Sequence, residues 1–175
     1  DLMEGVFQEV LGAAGVEHEF PLQRMPWKEA MERFGCDRPD VRFGMELVDL
    51  TDLIKDCNFK VFTGAAENGG VVKCINAKGA GNWSRGEIER LGDIAAANGA
   101  KGMAWIAYTD ADTDLKGKSP IIKFLGDEVH EAIKEAADVK PGDLLLFAAD
   151  TFDTASAVLS ALRLHMADAL GIERN

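Results

Sequence analysis

The sequence has few of the residues from which metal sites and disulfide frameworks are built. Its three cysteines, Cys36, Cys57 and Cys74, are widely spaced, and they form no CxxC pair; the three histidines are also isolated. Zinc fingers and disulfide scaffolds need such residues in close sets. We therefore expect no metal site and no disulfide, and we expect a reducing, cytoplasmic setting.

Long apolar runs and an excess of basic charge are also missing. No stretch reaches the roughly 18 apolar residues that a membrane-spanning helix needs, and no charged-then-apolar leader opens the chain, so we expect neither a membrane partner nor secretion. The formal net charge is −11. Because like charges repel, the overall field does not attract a nucleic-acid backbone, and any such contact depends on a local patch.

The apolar pattern predicts a helical first part and an α+β second part. Residues 1–14 and 27–34 carry apolar residues at helical spacing. From about residue 58 the order is strand, strand, helix, strand, strand, helix, with an additional acidic helix at 127–137. This β-β-α-β-β-α order predicts a two-layer antiparallel sheet with helices on one face. The predicted strands are 60–63, 71–77, 102–109 and 144–149.

Local signals mark several boundaries between these elements. The AENGG stretch at 66–70 contains Asn-Gly, which predicts a hairpin turn between the first two strands. Ser84 and Glu87 have the spacing of a capping box at a helix start. Thr51 is expected to cap a helical turn, and Thr151 the last helix.

The glycine-rich stretch GAGNWSRGE at 79–87 is a weak candidate for a phosphate site. It lacks the third glycine of a dinucleotide-binding fingerprint, and Ser84 already occupies the cap position, so a hairpin-to-helix loop is the favoured interpretation. Lys116, Lys118 and Lys123 form a small basic cluster that could touch a phosphate, although a solvated loop is the default. Cys74 has no histidine in its own element, which favours packing over nucleophilic chemistry.

One long stretch resembles a known family. FPLQRMPWKEAMERFGCDRPDVRFGMELVDLTDLIKD at 20–56 is similar to a passage in bacterial-type aspartyl-tRNA synthetases. Further similar stretches follow in order at consistent spacing, and together they cover nearly the whole chain. They are FKVFTGA (59–65), SRGEIERL (84–91), GAKGMAWI (99–106), KSPIIKFL (118–125), GDLLLFAAD (142–150) and ALRLHMADALG (161–171).

The resemblance implies a domain organisation. The middle part looks like the GAD domain, which these enzymes insert into a class II catalytic core and whose fold is the same β-β-α-β-β-α arrangement. Residues 1–45 would be a helical piece of the core before the insertion, 46–160 the inserted domain, and 161–175 the end of a helix leading back to the core. Residues 33–56 would be the joint, where Asp and Arg pairs around Pro39 are expected to fix the chain.

The resemblance also implies an activity for a longer parent protein. Such an enzyme activates aspartate with ATP and transfers it to tRNA; ATP and Mg²⁺ are its cofactors, and it is a cytoplasmic homodimer. The arginine-bearing class II motifs and the anticodon-binding barrel are missing from this sequence. We therefore assign no catalytic and no metal-binding residue, expect no cofactor in this segment, and expect it to be inactive alone.

Two roles remain open for the inserted domain. It could face the tRNA, with backbone contacts from Arg24, Lys28, Arg38 and Arg42, or it could be a structural or binding module without catalytic function. A third interpretation is the GAD domain of a glutamyl-tRNA amidotransferase subunit. The sequence at 20–44 and at 161–171 favours the synthetase.

Overall fold

A four-stranded antiparallel sheet forms the centre of the protein in a computed structural model, which describes residues 2–174. The order across the sheet is β1-β2-β4-β3, and every neighbouring pair is antiparallel. The two central strands, β2 and β4, are each seven residues long and pair along their whole length. The strands are β1 (Val48–Asp49), β2 (Val71–Ala77), β3 (Ala104–Ala107) and β4 (Leu144–Asp150).

Helices cover both faces of this sheet. The helices are α1 (Leu2–Ala13), α2 (Trp27–Phe34), α3 (Lys60–Glu67), α4 (Arg85–Ala97), α5 (Ile122–Leu125), α6 (Asp127–Ala136) and α7 (Phe152–Ala169). Leu144 and Leu146 of β4 belong to the core beneath α4 and α7, whereas Leu145 and Phe147 belong to the core beneath α3, α5 and α6. Successive strand side chains point to opposite faces, so the apolar runs of the central strands fill two cores.

The predicted α+β class and antiparallel sheet are confirmed. The elements β1, β2, α4, β3, β4 and α7 follow one another in the predicted β-β-α-β-β-α order. The acidic helix predicted at 127–137 is confirmed as α6, and the structure adds α3 between the first two strands and α5 before α6. These three helices cover the second face of the sheet, whereas the sequence predicts helices on one face.

The strand predicted at 60–63 is wrong, because these residues begin α3. The β-branched Val61 and Thr63 favoured a strand. Val61 is exposed, however, whereas Phe62 is buried and packs against Phe147 with 5.5 Å between ring centroids. Burial of Phe62 in the second core therefore outweighs the local strand propensity, and the first strand of the sheet is instead β1.

The hairpin predicted at AENGG is wrong, because this stretch forms the end of α3. The Asn68 side-chain amide donates to the Gly64 carbonyl oxygen at 2.6 Å, and Gly69 has a φ of +75°. A left-handed glycine after the last turn is a common way to end a helix. Thr151 and the Ser84–Glu87 capping box are confirmed at the starts of α7 and α4.

Two further features concern Thr51 and α1. The predicted helical turn is present, since the Ile54 N–H donates to the Leu50 carbonyl at 3.2 Å. Thr51 does not cap this turn; the Thr51 hydroxyl accepts a hydrogen bond from the Val72 backbone N–H at 3.0 Å. Helix α1 has no buried residue and exposes its apolar side chains Leu2, Met3, Val6, Phe7 and Val10. Among residues 2–174, no helix has the length and apolar character needed to cross a membrane.

A buried hydrogen bond ties α6 to the sheet. The Tyr108 hydroxyl oxygen lies 2.8 Å from His130 Nε2, and both residues are buried. Burial lowers the pKa of His130, as does the charge of Lys134, whereas the acidic groups of Glu131, Asp127 and Asp112 act in the opposite direction. Because burial disfavours the imidazolium, neutral His130 accepts the hydrogen bond that Tyr108 donates.

This pair predicts that the free energy of unfolding falls between about pH 7.5 and about pH 5.5. The unfolded chain binds a proton near its reference pKa of about 6.5, whereas folded His130 does so only at lower pH. Urea unfolding at several pH values measures the slope. His130→Gln should remove most of it, and the matched control His165→Gln, at an exposed position on α7, should keep it. An unchanged slope in His130→Gln would contradict this account.

Candidate functional site

The four basic residues predicted to contact nucleic acid all precede the sheet, and each has an acidic neighbour. The pairs are Arg24–Glu4 at 3.0 Å, Lys28–Glu32 at 3.6 Å, Arg38–Asp37 at 3.8 Å and Arg42–Asp40 at 2.8 Å. All four basic side chains are more than half exposed. Exposed ion pairs are weak, so a phosphate can compete for these cations. Contact with nucleic acid stays a prediction.

The Asp40–Arg42 pair has the best geometry of the four. Arg42 donates from Nε to Oδ1 at 2.9 Å and from Nη2 to Oδ2 at 2.8 Å. These hydrogen bonds lower the pKa of Asp40 to about 2. An Asp/Arg pair is therefore present after Pro39, and that it fixes the chain there stays a prediction; Arg38 is almost fully exposed and lies 3.8 Å from Asp37.

The main group that holds this loop comes from α7. The Arg163 Nη2 donates to the carbonyl oxygens of Asp40, Phe43 and Gly44 at 2.8, 2.8 and 2.9 Å, and its Nε donates to Met45 at 3.1 Å. Met45 has a φ of +64°, which residues other than glycine seldom adopt. With the Met45 carbonyl bonded to the guanidinium, the loop at 40–45 wraps around Arg163.

Aromatic rings enclose the same guanidinium. Arg163 lies 3.9 Å from the Phe43 ring centroid and 4.9 Å from that of Phe34, and only 2% of the residue is exposed. Burial lowers the pKa of Arg163, against the favourable charges of Asp40 and Glu46. Arginine still stays protonated at neutral pH, because its ordinary pKa is above about 12. The cation is thus stabilised by carbonyl groups and ring faces rather than by a direct carboxylate contact.

A close backbone approach between α2 and α7 reinforces the joint, which here means α2, the loop at 40–46 and α7 packed together. Gly35 has a φ of +73°, and a Cβ atom there would lie 2.3 Å from the Ser156 carbonyl oxygen, so only glycine fits. Arg33 of α2 also binds the loop at 40–46, because its guanidinium donates to the Glu46 carboxylate at 2.7 and 2.8 Å. Helix α2, the loop at 40–46 and α7 therefore form one packed unit.

Sequence reasoning missed Arg163, although a signal was present. Leu159, Leu162, Arg163 and Met166 are spaced i, i+3, i+4, i+7, and all are buried. An arginine within the apolar stripe of a helix indicates a buried cation, which needs partners elsewhere in the fold. The sequence could have identified the buried position, but not the carbonyl groups that it meets.

The GAGNWSRGE loop is packed against its neighbours. The Gly81 backbone N–H donates to the Gly142 carbonyl at 2.7 Å, and a Cβ atom at Gly81 would lie 2.0 Å from the Tyr108 carbonyl oxygen. Asn82 hydrogen-bonds Asp110. These contacts use the donors that a phosphate would need, in agreement with the interpretation as a structural loop.

The cysteines and acidic residues form no reactive cluster within residues 2–174. No group of three or more His, Cys, Asp or Glu residues in this range is arranged to hold a metal ion. Burial raises the pKa of the Cys74 thiol, so it stays protonated at neutral pH. No reaction step is therefore assigned to the described residues.

Comparison with protein families gives one match within the chain. A family model described as "GAD domain" matches residues 62–159. This range begins in α3, includes three of the four strands, and ends inside α7. The predicted boundaries at 46 and 161 stay predictions, and α7 runs through the second of them as one continuous helix.

Curated relatives match almost the whole chain. A protein named "Aspartate--tRNA ligase" from Clostridium botulinum strain Kyoto is 47% identical over 171 residues, which are 98% of this chain and 28% of that protein. A Bacillus licheniformis protein of the same name is 50% identical over 159 residues, covering 90% of this chain and 26% of that protein. An "Aspartate--tRNA(Asp/Asn) ligase" from Syntrophotalea carbinolica is 45% identical over 178 residues, 99% of this chain and 29% of that protein. The chain thus spans less than a third of these relatives.

The joint predicts that Arg163→Met lowers the free energy of unfolding by about 2–4 kcal/mol. Methionine fills similar space but leaves four carbonyl groups, that of Phe43 buried and the other three partly buried, without their donor. Urea unfolding of the purified chain measures the change. The matched control Arg85→Met removes an exposed ion pair with Glu89 and should cost less than about 1 kcal/mol. Equal losses in the two variants would contradict a special role for Arg163.

Proposed function

Because the chain belongs to the GAD domain family, and its relatives over the whole length are named aspartate–tRNA ligases, we propose that it is a segment of such an enzyme. The observation that carries the proposal is the extent of the similarity. The match covers 98% of the chain, well beyond the GAD domain at 62–159. This favours a ligase over an amidotransferase subunit, whose shared part would be the GAD domain.

The proposed parent enzyme joins aspartate and ATP to give aspartyl-adenylate and pyrophosphate, and then transfers the aspartyl group to the 3′-terminal adenosine of tRNA. Its partners are tRNA and a second copy of itself, its cofactors are ATP and Mg²⁺, and its compartment is the cytoplasm. ATP and Mg²⁺ would bind outside this segment, because the described residues offer no carboxylate cluster and the glycine-rich loop uses its donors internally. Relatives with both printed specificities are similar to this segment, so tRNA choice is decided elsewhere in the parent.

Within this parent, the segment would serve as a rigid, non-catalytic module. Arg163 and Gly35 support this role, because they join α7 to the preceding segment through buried contacts. The exposed apolar face of α1 fits the same proposal, since a partner surface in the longer protein would cover it. The exposed cations Arg24, Lys28, Arg38 and Arg42 favour a second role, in which this side of the module faces the tRNA.

Aspartate-dependent ATP–pyrophosphate exchange tests the proposed activity. The full-length gene product should catalyse the exchange, and the 175-residue chain should be inactive under the same conditions, because it lacks the class II motifs that bind ATP. Exchange by the chain alone would contradict the assignment of the segment as non-catalytic. Absence of exchange in both proteins would contradict the ligase assignment itself.

Charge reversal tests the tRNA-facing role. Replacing Arg24, Lys28 and Arg38 together by Glu in the full-length enzyme should raise the KM for tRNA about fivefold or more, steepest at low salt, because phosphate contacts are lost. Pyrophosphate exchange, which needs no tRNA contact, should stay unchanged. The matched control is Lys55→Glu, an exposed lysine paired with Asp52. An unchanged KM in the triple variant would leave the purely structural role.

A further inference from the structure

A large groove lies at the edge of the sheet beside β3, where side chains from both cores line it. Its volume is about 880 Å³, and it opens between α3, α5, the segment that leads into β3, and the start of α7. Its lining is mostly apolar and includes five aromatic side chains, Phe59, Phe62, Trp105, Phe124 and Phe147. The family match and the ligase proposal assign no role to this groove.

The aromatic side chains form a series that leads from the core to the surface. Phe62 is buried and lies 5.5 Å from Phe147 and 4.8 Å from Phe59, measured between ring centroids. Phe59 in turn stacks on Phe124 at 6.0 Å with an interplanar angle of 25°, and Phe124 is 38% exposed. The core therefore supports the outer rings of Phe59 and Phe124, of which Phe124 is the more exposed.

Lysine side chains without acidic partners surround these rings. Lys101 lines the groove, Lys60 lies between the lining residues Phe59 and Val61, and the Lys123 ammonium lies 4.9 Å from the Phe124 ring centroid. All three are exposed, and within residues 2–174 none forms an ion pair. Most other exposed Lys and Arg side chains of this acidic protein have an Asp or Glu partner. Lys101 in the lining, with Lys60 and Lys123 next to lining residues, therefore brings cationic groups to the groove.

The charge and the ring faces together indicate the occupant. An apolar segment of protein would fill the groove but would leave three ammonium groups without counter-charges. A nucleic-acid duplex would meet the lysines with its phosphates, but its stacked bases could not reach the rings. A single strand offers both phosphates and free base faces, which is the combination that strand-binding proteins use. The one carboxylate in the lining, Asp150, accepts a hydrogen bond from the Thr151 backbone at 2.7 Å.

We propose that this groove binds a single-stranded stretch of nucleic acid. Bases stack on Phe124 and Phe59, and phosphates contact Lys60, Lys101 and Lys123. The inference goes beyond the ligase assignment, because none of the four cations considered above lines this groove. Its failure would leave pyrophosphate exchange by the parent enzyme unaffected, so the two proposals fail separately.

Fluorescence anisotropy tests the groove, with a fluorescein-labelled single-stranded RNA of about 12 nucleotides as the probe. The 175-residue chain should bind it at low salt. Three phosphate contacts predict a slope of about −2 for the logarithm of the binding constant against the logarithm of salt concentration. An RNA hairpin with a fully paired stem of similar length should bind at least about fivefold more weakly, because its bases are not free to stack.

Matched variants locate the binding. Lys60→Glu and Lys123→Glu should each weaken binding about fivefold or more, and Phe124→Ala should do the same while leaving most of the salt slope intact. The control is Arg90→Glu, which makes the same charge change at an exposed position on α4, a helix that contributes no residue to the groove. This control should bind within about twofold of the unsubstituted chain.

Three results would overturn the proposal. One is the absence of strand binding at low salt, which would favour an apolar protein segment as the occupant. Another is an equal loss in Arg90→Glu, which would indicate unspecific attraction. The third is equal affinity for the paired stem. Because the lysine variants change only exposed side chains, they remain informative if Phe124→Ala fails to fold.

Discussion

The buried guanidinium of Arg163 is the interaction on which the joint of this protein depends. A charged group that is 2% exposed must find partners, and here they are the carbonyl groups of residues 40–45 and the rings of Phe34 and Phe43. These partners belong to a stretch more than a hundred residues earlier in the chain. One side chain therefore converts a loop without regular secondary structure into a fixed connection between α2 and α7.

The two cores of the sheet support different parts of the protein. The core beneath α4 and α7 reaches the joint, because α7 presents Leu159 and Met166 to the sheet side and Arg163 to the loop. The core beneath α3, α5 and α6 supports the aromatic series of the groove through Phe62 and Phe147. The sheet thus supports the connection on one face and the candidate binding surface at its edge beside β3. A rigid connection suits such a surface, since it fixes the orientation of the groove within the longer protein.

Sequence patterns predict the parts of this fold that are local. β4 follows from its apolar run, β2 from a largely apolar stretch that also contains Lys73 and Asn76, and the start of α4 from its capping box. Helix α3 was missed because burial of Phe62 outweighs the strand propensity of its neighbours. β1 was missed because two residues have no periodicity. The joint and the groove were not predictable as sites, since each is assembled from stretches that are far apart in the chain and meet only in the folded protein.

Hydrogen exchange at the Leu47 amide measures directly whether Arg163 holds the loop at 40–46 in place. This amide donates to the Arg33 carbonyl at 2.8 Å, across the joint that Arg163 holds. In Arg163→Met, the account predicts that Leu47 exchanges at least about tenfold faster relative to amides of β2 and β4, because the loop opens without the sheet unfolding. Equal acceleration at Leu47 and in the central strands would contradict the account. Arg163 would then contribute only to global stability, and the joint would depend on other contacts.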